Sequence, residues 1–121
     1  MHIQFAELPV FDQDRAKAFY VDHLGCRAVA DQPMSHDGWR WIELGFSGAD
    51  TALHFVRRKD DAPSEGPVLV LIDDDLDLTV QRLKSRGVRI ITEPRPAPWG
   101  PGRMIAEFQD SEGNRMVIAS R

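Results

Sequence analysis

The sequence predicts an α+β fold built from two similar halves. Residues 3–57 and 66–120 each fit a strand, an amphipathic helix and then further strands. In both halves aspartate precedes the helix and glycine follows it, as expected for a helix start and stop. Strands outnumber helices. The sequence lacks the regular alternation of strand and helix that would indicate a parallel sheet. Such a duplication typically forms one composite cleft.

Length and composition predict one globular domain. A chain of 121 residues buries one substantial core but is short for two ordinary domains. The predicted single domain, 1–121, comprises a first module at about 1–57, a polar linker at 58–66 and a second module at about 67–121. The hydrophobic fraction of 42% is ordinary for such a domain.

The net charge limits the classes of possible partner, and the cysteine content indicates the cellular compartment. A net charge of −4 disfavours nucleic acid, because phosphate contacts require a basic face. No apolar run approaches the roughly 20 residues that span a bilayer, so no membrane partner is expected. The N-terminal residues show no secretory leader, and the one cysteine, Cys26, cannot form an internal disulfide. We therefore expect a cytoplasmic protein with Cys26 buried.

In the first module, alternation along Ile3–Val10 gives the strand two apolar faces, one of which carries Glu7. Asp12 is the predicted N-cap of the following helix, and Gly25 is its left-handed end. The further predicted strands are Cys26–Asp31, Trp39–Phe46 and Thr51–Arg57. One face of the first strand should pack against the helix, and the other should line a cavity.

The second module repeats this plan. Aspartates 73–75 are expected to cap a helix that ends at Gly87, and residues 110–114 should form a tight turn. Residues 93–102 carry four prolines, so this segment should be an ordered loop or a sheet edge. The predicted strands are Val68–Ile72, Val88–Thr92, Arg103–Phe108 and Asn114–Ser120.

Several motifs, taken in order, resemble those of a known superfamily. They are Val10-x-Asp12-x-x-Arg15-Ala-x-Ala-Phe19-Tyr20-x-x-x-Leu24-Gly25, then Asp74-Asp75-Leu-Asp77 with Gly87-Val88, Pro98-Trp99-Gly100, and Asp110-Ser-Glu-Gly113-Asn114. The chain resembles the vicinal oxygen chelate superfamily, which includes glyoxalase I, bleomycin-resistance proteins and extradiol dioxygenases. The resemblance implies paired βαβββ modules that form a curved mixed sheet around a cleft, commonly in a homodimer.

The resemblance also implies where a metal would bind. Metal-dependent members use four strand positions, which correspond here to Phe5, His54, Val68 and Val117. Only His54 can coordinate a cation, so we expect no metal cofactor. The alternative is a divalent metal near His54 and Glu7, in a displaced cluster that also includes Glu43 and Glu107.

Aromatic and acidic residues indicate a ligand-binding surface. Trp39 and Trp41 alternate along one strand and should share a face, although a dimer interface or closed core would also explain them. Trp99 lies in the proline-rich loop, where it either contacts the ligand or pins the loop to the sheet. The predicted ligand-binding residues are Phe5, Glu7, Trp41, Glu43, His54, Trp99 and Glu107. Alternatively, Glu7 and Glu43 are charges on a solvated wall, paired with Arg40 or Arg103.

Two functions follow from these observations. The first is metal-free binding of a partly aromatic or cationic small molecule, favoured by the aromatic residues and the acidic charge. The second is a lyase, isomerase or dioxygenase that uses a displaced metal or an acid/base pair of a glutamate and His54. No catalytic residue is assigned, and the expected partners are a small-molecule ligand and a second copy of the chain.

Overall fold

The elements follow the order βαβββ twice, as the sequence predicted. The computed structural model describes residues 1–62 and 66–121, so residues 63–65 of the predicted linker lie outside the described residues. The chain divides into two compact units, Met1–Asp61 and Ala62–Arg121, and the division falls within that linker. In the first unit the elements are β1 (Phe5–Val10), α1 (Gln13–Leu24), β2 (Arg27–Pro33), β3 (Arg40–Gly45) and β4 (Ala52–Arg57). In the second they are β5 (Pro67–Ile72), α2 (Leu76–Ser85), β6 (Ile90–Pro96), β7 (Met104–Gln109) and β8 (Arg115–Ala119).

The first unit is a four-stranded mixed sheet with α1 on one face. The strand order is β1-β4-β3-β2, and only the β1–β4 pair is parallel. Leu8 and Phe55 are fully buried on the helix side, together with Tyr20 of α1. Glu7 is exposed, which confirms the predicted alternation of β1. The face away from α1 therefore carries the polar side chain of Glu7.

The second unit repeats this arrangement. Its strand order is β5-β8-β7-β6, with β5 and β8 parallel and the other pairs antiparallel. Phe108 and Met116 are fully buried, and α2 packs against β6 and β7. The α+β class with paired βαβββ modules is confirmed. Within the described residues no helix is both long and apolar enough to cross a bilayer.

The predicted helix signals are confirmed in both units. The Asp12 carboxylate accepts a hydrogen bond from the Arg15 amide at 3.0 Å, and Gly25 adopts φ 71°. Asp75 accepts from the Leu78 amide at 3.3 Å at the start of α2. Because these carboxylates satisfy amide groups that have no partner within the helix, the aspartates are structural.

The proline-rich segment is partly strand. Residues 93–96 continue β6, which was predicted to end at Thr92, and β6 is an edge of its sheet. Pro94 and Pro96 lack an amide hydrogen, and an edge strand tolerates this because one side has no hydrogen-bonding neighbour. The pairing of β6 with β7 is irregular between Thr92 and Arg95. The prediction of a loop or sheet edge is thus confirmed for this part of the segment.

Candidate functional site

Three rings meet on the face of the first sheet that lies away from α1. The Trp41 and His54 ring centroids are 4.0 Å apart, and those of Phe5 and His54 are 5.4 Å apart. Phe5 meets Trp41 edge to face at 5.7 Å. We call Phe5, Trp41 and His54 the aromatic cluster. Phe5 and Trp41 are only half-buried, so they present ring surface outside the core.

Strand register explains why these side chains meet. Glu7 pairs with His54 across the parallel β1–β4 ladder, and His54 pairs with Glu43 across β3–β4. Register partners in adjacent strands project to the same side of the sheet. Phe5 and Trp41 lie two residues before Glu7 and Glu43 on the same strands, and so share that side. The sheet thus places two carboxylates beside three rings.

Glu43 holds the Trp41 indole in place. The Trp41 Nε1 donates to Glu43 Oε1 at 2.9 Å, which satisfies the polar atom of a half-buried tryptophan. The alternative prediction that Arg40 pairs with Glu43 is wrong. Arg40 instead donates to Asp31 and Asp14, both at 2.8 Å. The i, i+2 spacing of Trp41 and Glu43 on one strand was the signal that the sequence analysis missed.

His54 carries a polar atom whose hydrogen-bonding capacity is unused. The residue is 8% exposed, and its Nδ1 is buried without a hydrogen-bond partner among the described residues. Glu7 Oε1 lies 4.0 Å from this nitrogen, beyond hydrogen-bond distance, and the Glu7 side chain is 65% exposed. Buried polar groups are nearly always satisfied, so a group or water held between Nδ1 and Glu7 would complete the site.

Trp39 does not join the aromatic cluster, although the sequence predicted that it shares a face with Trp41. It precedes β3, which begins at Arg40. The Arg57 guanidinium lies 4.7 Å from the centroid of the Trp39 ring. Arg57 lies three residues after His54 in β4, and side chains an odd number of residues apart in a strand project to opposite faces of the sheet. Trp39, which contacts Arg57, is therefore in a different environment from Trp41, which contacts His54.

The two ligand-binding residues predicted in the second unit differ from each other. Glu107 is buried and forms an ion pair with Arg115 Nε. Since Glu107 is already compensated, it has less capacity to bind a cation. Trp99 lies in the loop after β6 and is 54% exposed.

The residues present do not fit the metal that the resemblance implied. Three of the four positions, Phe5, Val68 and Val117, offer only carbon atoms, and Val117 is buried beside Ile105 and Ala119. Across residues 1–62 and 66–121, no group of three histidine, cysteine, aspartate or glutamate side chains could hold a metal ion. We therefore derive no chemical step through a metal.

Cys26 is a buried free thiol, as the sequence predicted. Burial raises its pKa from 9.0 to about 12, because the apolar surroundings disfavour the charged thiolate. A nucleophilic cysteine requires a lowered pKa, so Cys26 is structural.

Comparison with known proteins shows the family. Residues 2–118 match the model of the Glyoxalase/Bleomycin resistance protein/Dioxygenase superfamily. The chain is 31% identical over 111 residues to the uncharacterized protein YetH of Bacillus subtilis (strain 168), covering 90% of this chain and 89% of the relative. It is 37% identical to TnmS3, an antibiotic binding protein from Streptomyces sp. CB03234, whose crystal structure matches with a TM-score of 0.82 over 99% of this chain and 95% of that one.

A second structure extends the comparison beyond Streptomyces. A superfamily member from Sphaerobacter thermophilus DSM 20745 is 27% identical, with a TM-score of 0.85 over 100% of this chain and 98% of that one. The matches span both modules. This chain belongs to the Glyoxalase/Bleomycin resistance protein/Dioxygenase superfamily.

Proposed function

We propose that this protein binds a small molecule with a planar aromatic part, without a metal, on the aromatic cluster of the first module. The main support is the assembly of Phe5, Trp41 and His54 on a sheet face that α1 does not cover. Ring stacking contributes about 1–3 kcal/mol per stacked base in proteins that bind nucleotides this way. The similarity to an antibiotic binding protein supports the same class of function.

The polar groups beside the cluster define the rest of the ligand. His54 Nδ1 and Glu7 Oε1 are 4.0 Å apart, so one ligand nitrogen or oxygen can contact both at about 2.8 Å. An amino group, which can donate to both, suits this pair and the net charge of −4. A cationic amine would also be attracted to the faces of Trp41 and Phe5. We therefore expect a ligand that combines a planar ring system with a basic amine.

The proposal predicts a difference between two tryptophan variants. Aminoacridine, a planar aromatic cation, serves as the probe in isothermal titration calorimetry. Trp41→Leu should weaken its binding by about 5- to 150-fold, the equivalent of one lost stacking contact. Trp39→Leu is the matched control and should leave the affinity unchanged, because Trp39 contacts Arg57 instead of the cluster. Equal losses in both variants, or no binding to the parent protein, would contradict the proposal.

Acid/base catalysis at the same site is the second candidate function. It is favoured by the position of Glu7 beside the unpartnered His54 Nδ1, since a carboxylate next to an imidazole can assist proton transfer. His54 would accept a proton from a carbon next to a carbonyl and return it to a neighbouring atom. Turnover of a hemithioacetal that His54→Ala abolishes would support this function over simple binding.

The proposal includes a homodimer in a reducing, cytoplasmic compartment. Val70 and Ile72 are both about half exposed on one side of β5, an edge strand of its sheet, which is typical of surfaces that associate. Cys26 remains a free thiol, as a reducing compartment allows. Sedimentation equilibrium should give twice the chain mass of 13.7 kDa. A mass of one chain at micromolar concentration would rule the dimer out.

A further inference from the structure

The Glu43 carboxylate is bound to a ring of the aromatic cluster. Its Oε1 accepts a hydrogen bond from Trp41 Nε1 at 2.9 Å, and both residues lie on β3. Because the acceptor is ionised, this bond is stronger than one between neutral groups. Among the residues that the structure describes, the indole is the hydrogen-bond partner of the Glu43 side chain, and no cation pairs with it.

This hydrogen bond selects one orientation of the Trp41 indole. A tryptophan side chain has several staggered rotamers, and its single N–H gives one of them a preferred partner. In the orientation that Glu43 stabilises, the indole lies over the His54 ring, with the ring centroids 4.0 Å apart and the ring planes inclined at 33°. The Phe5 ring meets the indole at 74°. One face of the indole is therefore turned to His54, which leaves the opposite face for a ligand ring.

The two glutamates beside the aromatic cluster differ in what they can do for a ligand. Both are register partners of His54, Glu7 on β1 and Glu43 on β3. The Glu7 side chain is 65% exposed, and its carboxylate lies 4.0 Å from His54 Nδ1, beyond hydrogen-bond distance. Glu7 can therefore attract a cationic amine directly, whereas Glu43 is half-buried and already bound to the indole.

We propose that Glu43 is a positioning residue of the ligand site: it orders the Trp41 indole for stacking and does not contact the ligand itself. The inference rests on the proposed function, which places the ligand ring on the aromatic cluster. A side chain that is already ordered in the free protein loses less conformational entropy on binding, so the affinity is higher. This role requires an oxygen that accepts from the indole N–H, and it does not require the negative charge.

Two substitutions of Glu43 separate the acceptor from the charge, because glutamine keeps an acceptor oxygen and leucine does not. The probes are aminoacridine, a planar cation, and naphthalenemethanol, a planar neutral compound, measured by calorimetry in salt that screens distant charges. Glu43→Leu should weaken both probes by about 3- to 12-fold, in the range for immobilising one side chain on binding. Glu43→Gln should recover most of this loss. If both variants weaken aminoacridine equally and leave naphthalenemethanol unchanged, Glu43 attracts the ligand charge directly and the inference is wrong.

Trp41→Phe is the matched background, since it keeps a ring at this position and removes the N–H. In this background Glu43→Leu should weaken neither probe further, because Glu43 acts through that N–H. The inference is refuted if Glu43→Leu costs as much affinity in the Trp41→Phe background as in the parent.

The orientation of Trp41 is also tested without a ligand, by NMR. The Trp41 indole N–H signal is assigned by its absence from the spectrum of Trp41→Phe, and the amide signals show that each variant is folded. In Glu43→Leu this indole signal should shift and exchange faster with solvent, and in Glu43→Gln it should stay near its parent position. If it behaves in this way but neither probe binds the parent, the proposed function fails and the ordering of Trp41 by Glu43 stands. An unchanged signal in Glu43→Leu, or a shifted signal with no loss of affinity for either probe, refutes the inference.

Discussion

Phe55→Ala is expected to destabilise the first module by about 3–5 kcal/mol, the usual cost of truncating a buried phenylalanine. Phe55 is fully buried on the α1 side of β4, where Leu8, Tyr20 and Ile42 are also fully buried. Removing its ring leaves a cavity that a rigid sheet and helix cannot close. Because whole domains are stable by only about 5–15 kcal/mol, urea unfolding monitored by circular dichroism should shift strongly.

Phe5→Ala is the matched control, since it removes the same side chain from the adjacent strand on the opposite face. Phe5 is half-buried and contacts two rings, those of Trp41 and His54, so the stability cost should be about 1–3 kcal/mol, the value of two aromatic pairs and less than the cost of Phe55→Ala. Its main effect should be weaker aminoacridine binding. If Phe5→Ala destabilises the protein as much as Phe55→Ala does, the face away from α1 is core and not a ligand surface.

Asp110→Ala is expected to destabilise the second module by about 2–4 kcal/mol, because several buried donors lose a charged acceptor at once. The buried Asp110 carboxylate accepts from the backbone amides of Glu112 and Asn114, both at 2.8 Å, and from the Asn114 side-chain amide at 3.2 Å. Glu112 and Asn114 are themselves fully buried, so water cannot replace these bonds. Differential scanning calorimetry should show a clear fall in Tm.

Asp110→Asn separates hydrogen bonding from the shape of the side chain. Its carbonyl oxygen can still accept from the two backbone amides, while its amide group would face the donor of Asn114. Its Tm should therefore fall between those of the parent and Asp110→Ala. If the Tm of both variants falls only as much as it does for an exposed substitution, the turn between β7 and β8 does not depend on the carboxylate.

Much of the fold could be predicted because its signals are local. Asp12 and Gly25 specify a helix start and stop within one turn of chain, and the two-residue period of β1 separates Leu8 from Glu7. The motifs around these elements were sufficient to indicate the superfamily. The end of β6 was misplaced because proline disfavours strands in general, while the position of this strand at a sheet edge permits it.

Five of the predicted ligand-binding residues, Phe5, Glu7, Trp41, Glu43 and His54, lie on one face of the first sheet, but their contacts could not be predicted from the sequence. The sequence indicated the chemistry of Glu7, Trp41 and His54, and the register of β1, β4 and β3 brought them into one neighbourhood. Trp39 was grouped with Trp41 by periodicity, although β3 begins only after it. The two-residue alternation of side chains holds only within a strand. It does not predict the orientation of a residue that precedes the strand, as Trp39 does.

By itself the sequence determined the repeated βαβββ plan, the helix caps, the buried state of Cys26 and the absence of metal donors at three positions. Only the tertiary structure decided which polar groups pair: Glu43 with the Trp41 indole, Glu107 with Arg115, and Arg40 with Asp31 and Asp14. The physical reason is that a cap or a face depends on neighbours along the chain. A side-chain partner depends on strand register and on the angle at which each side chain leaves the sheet.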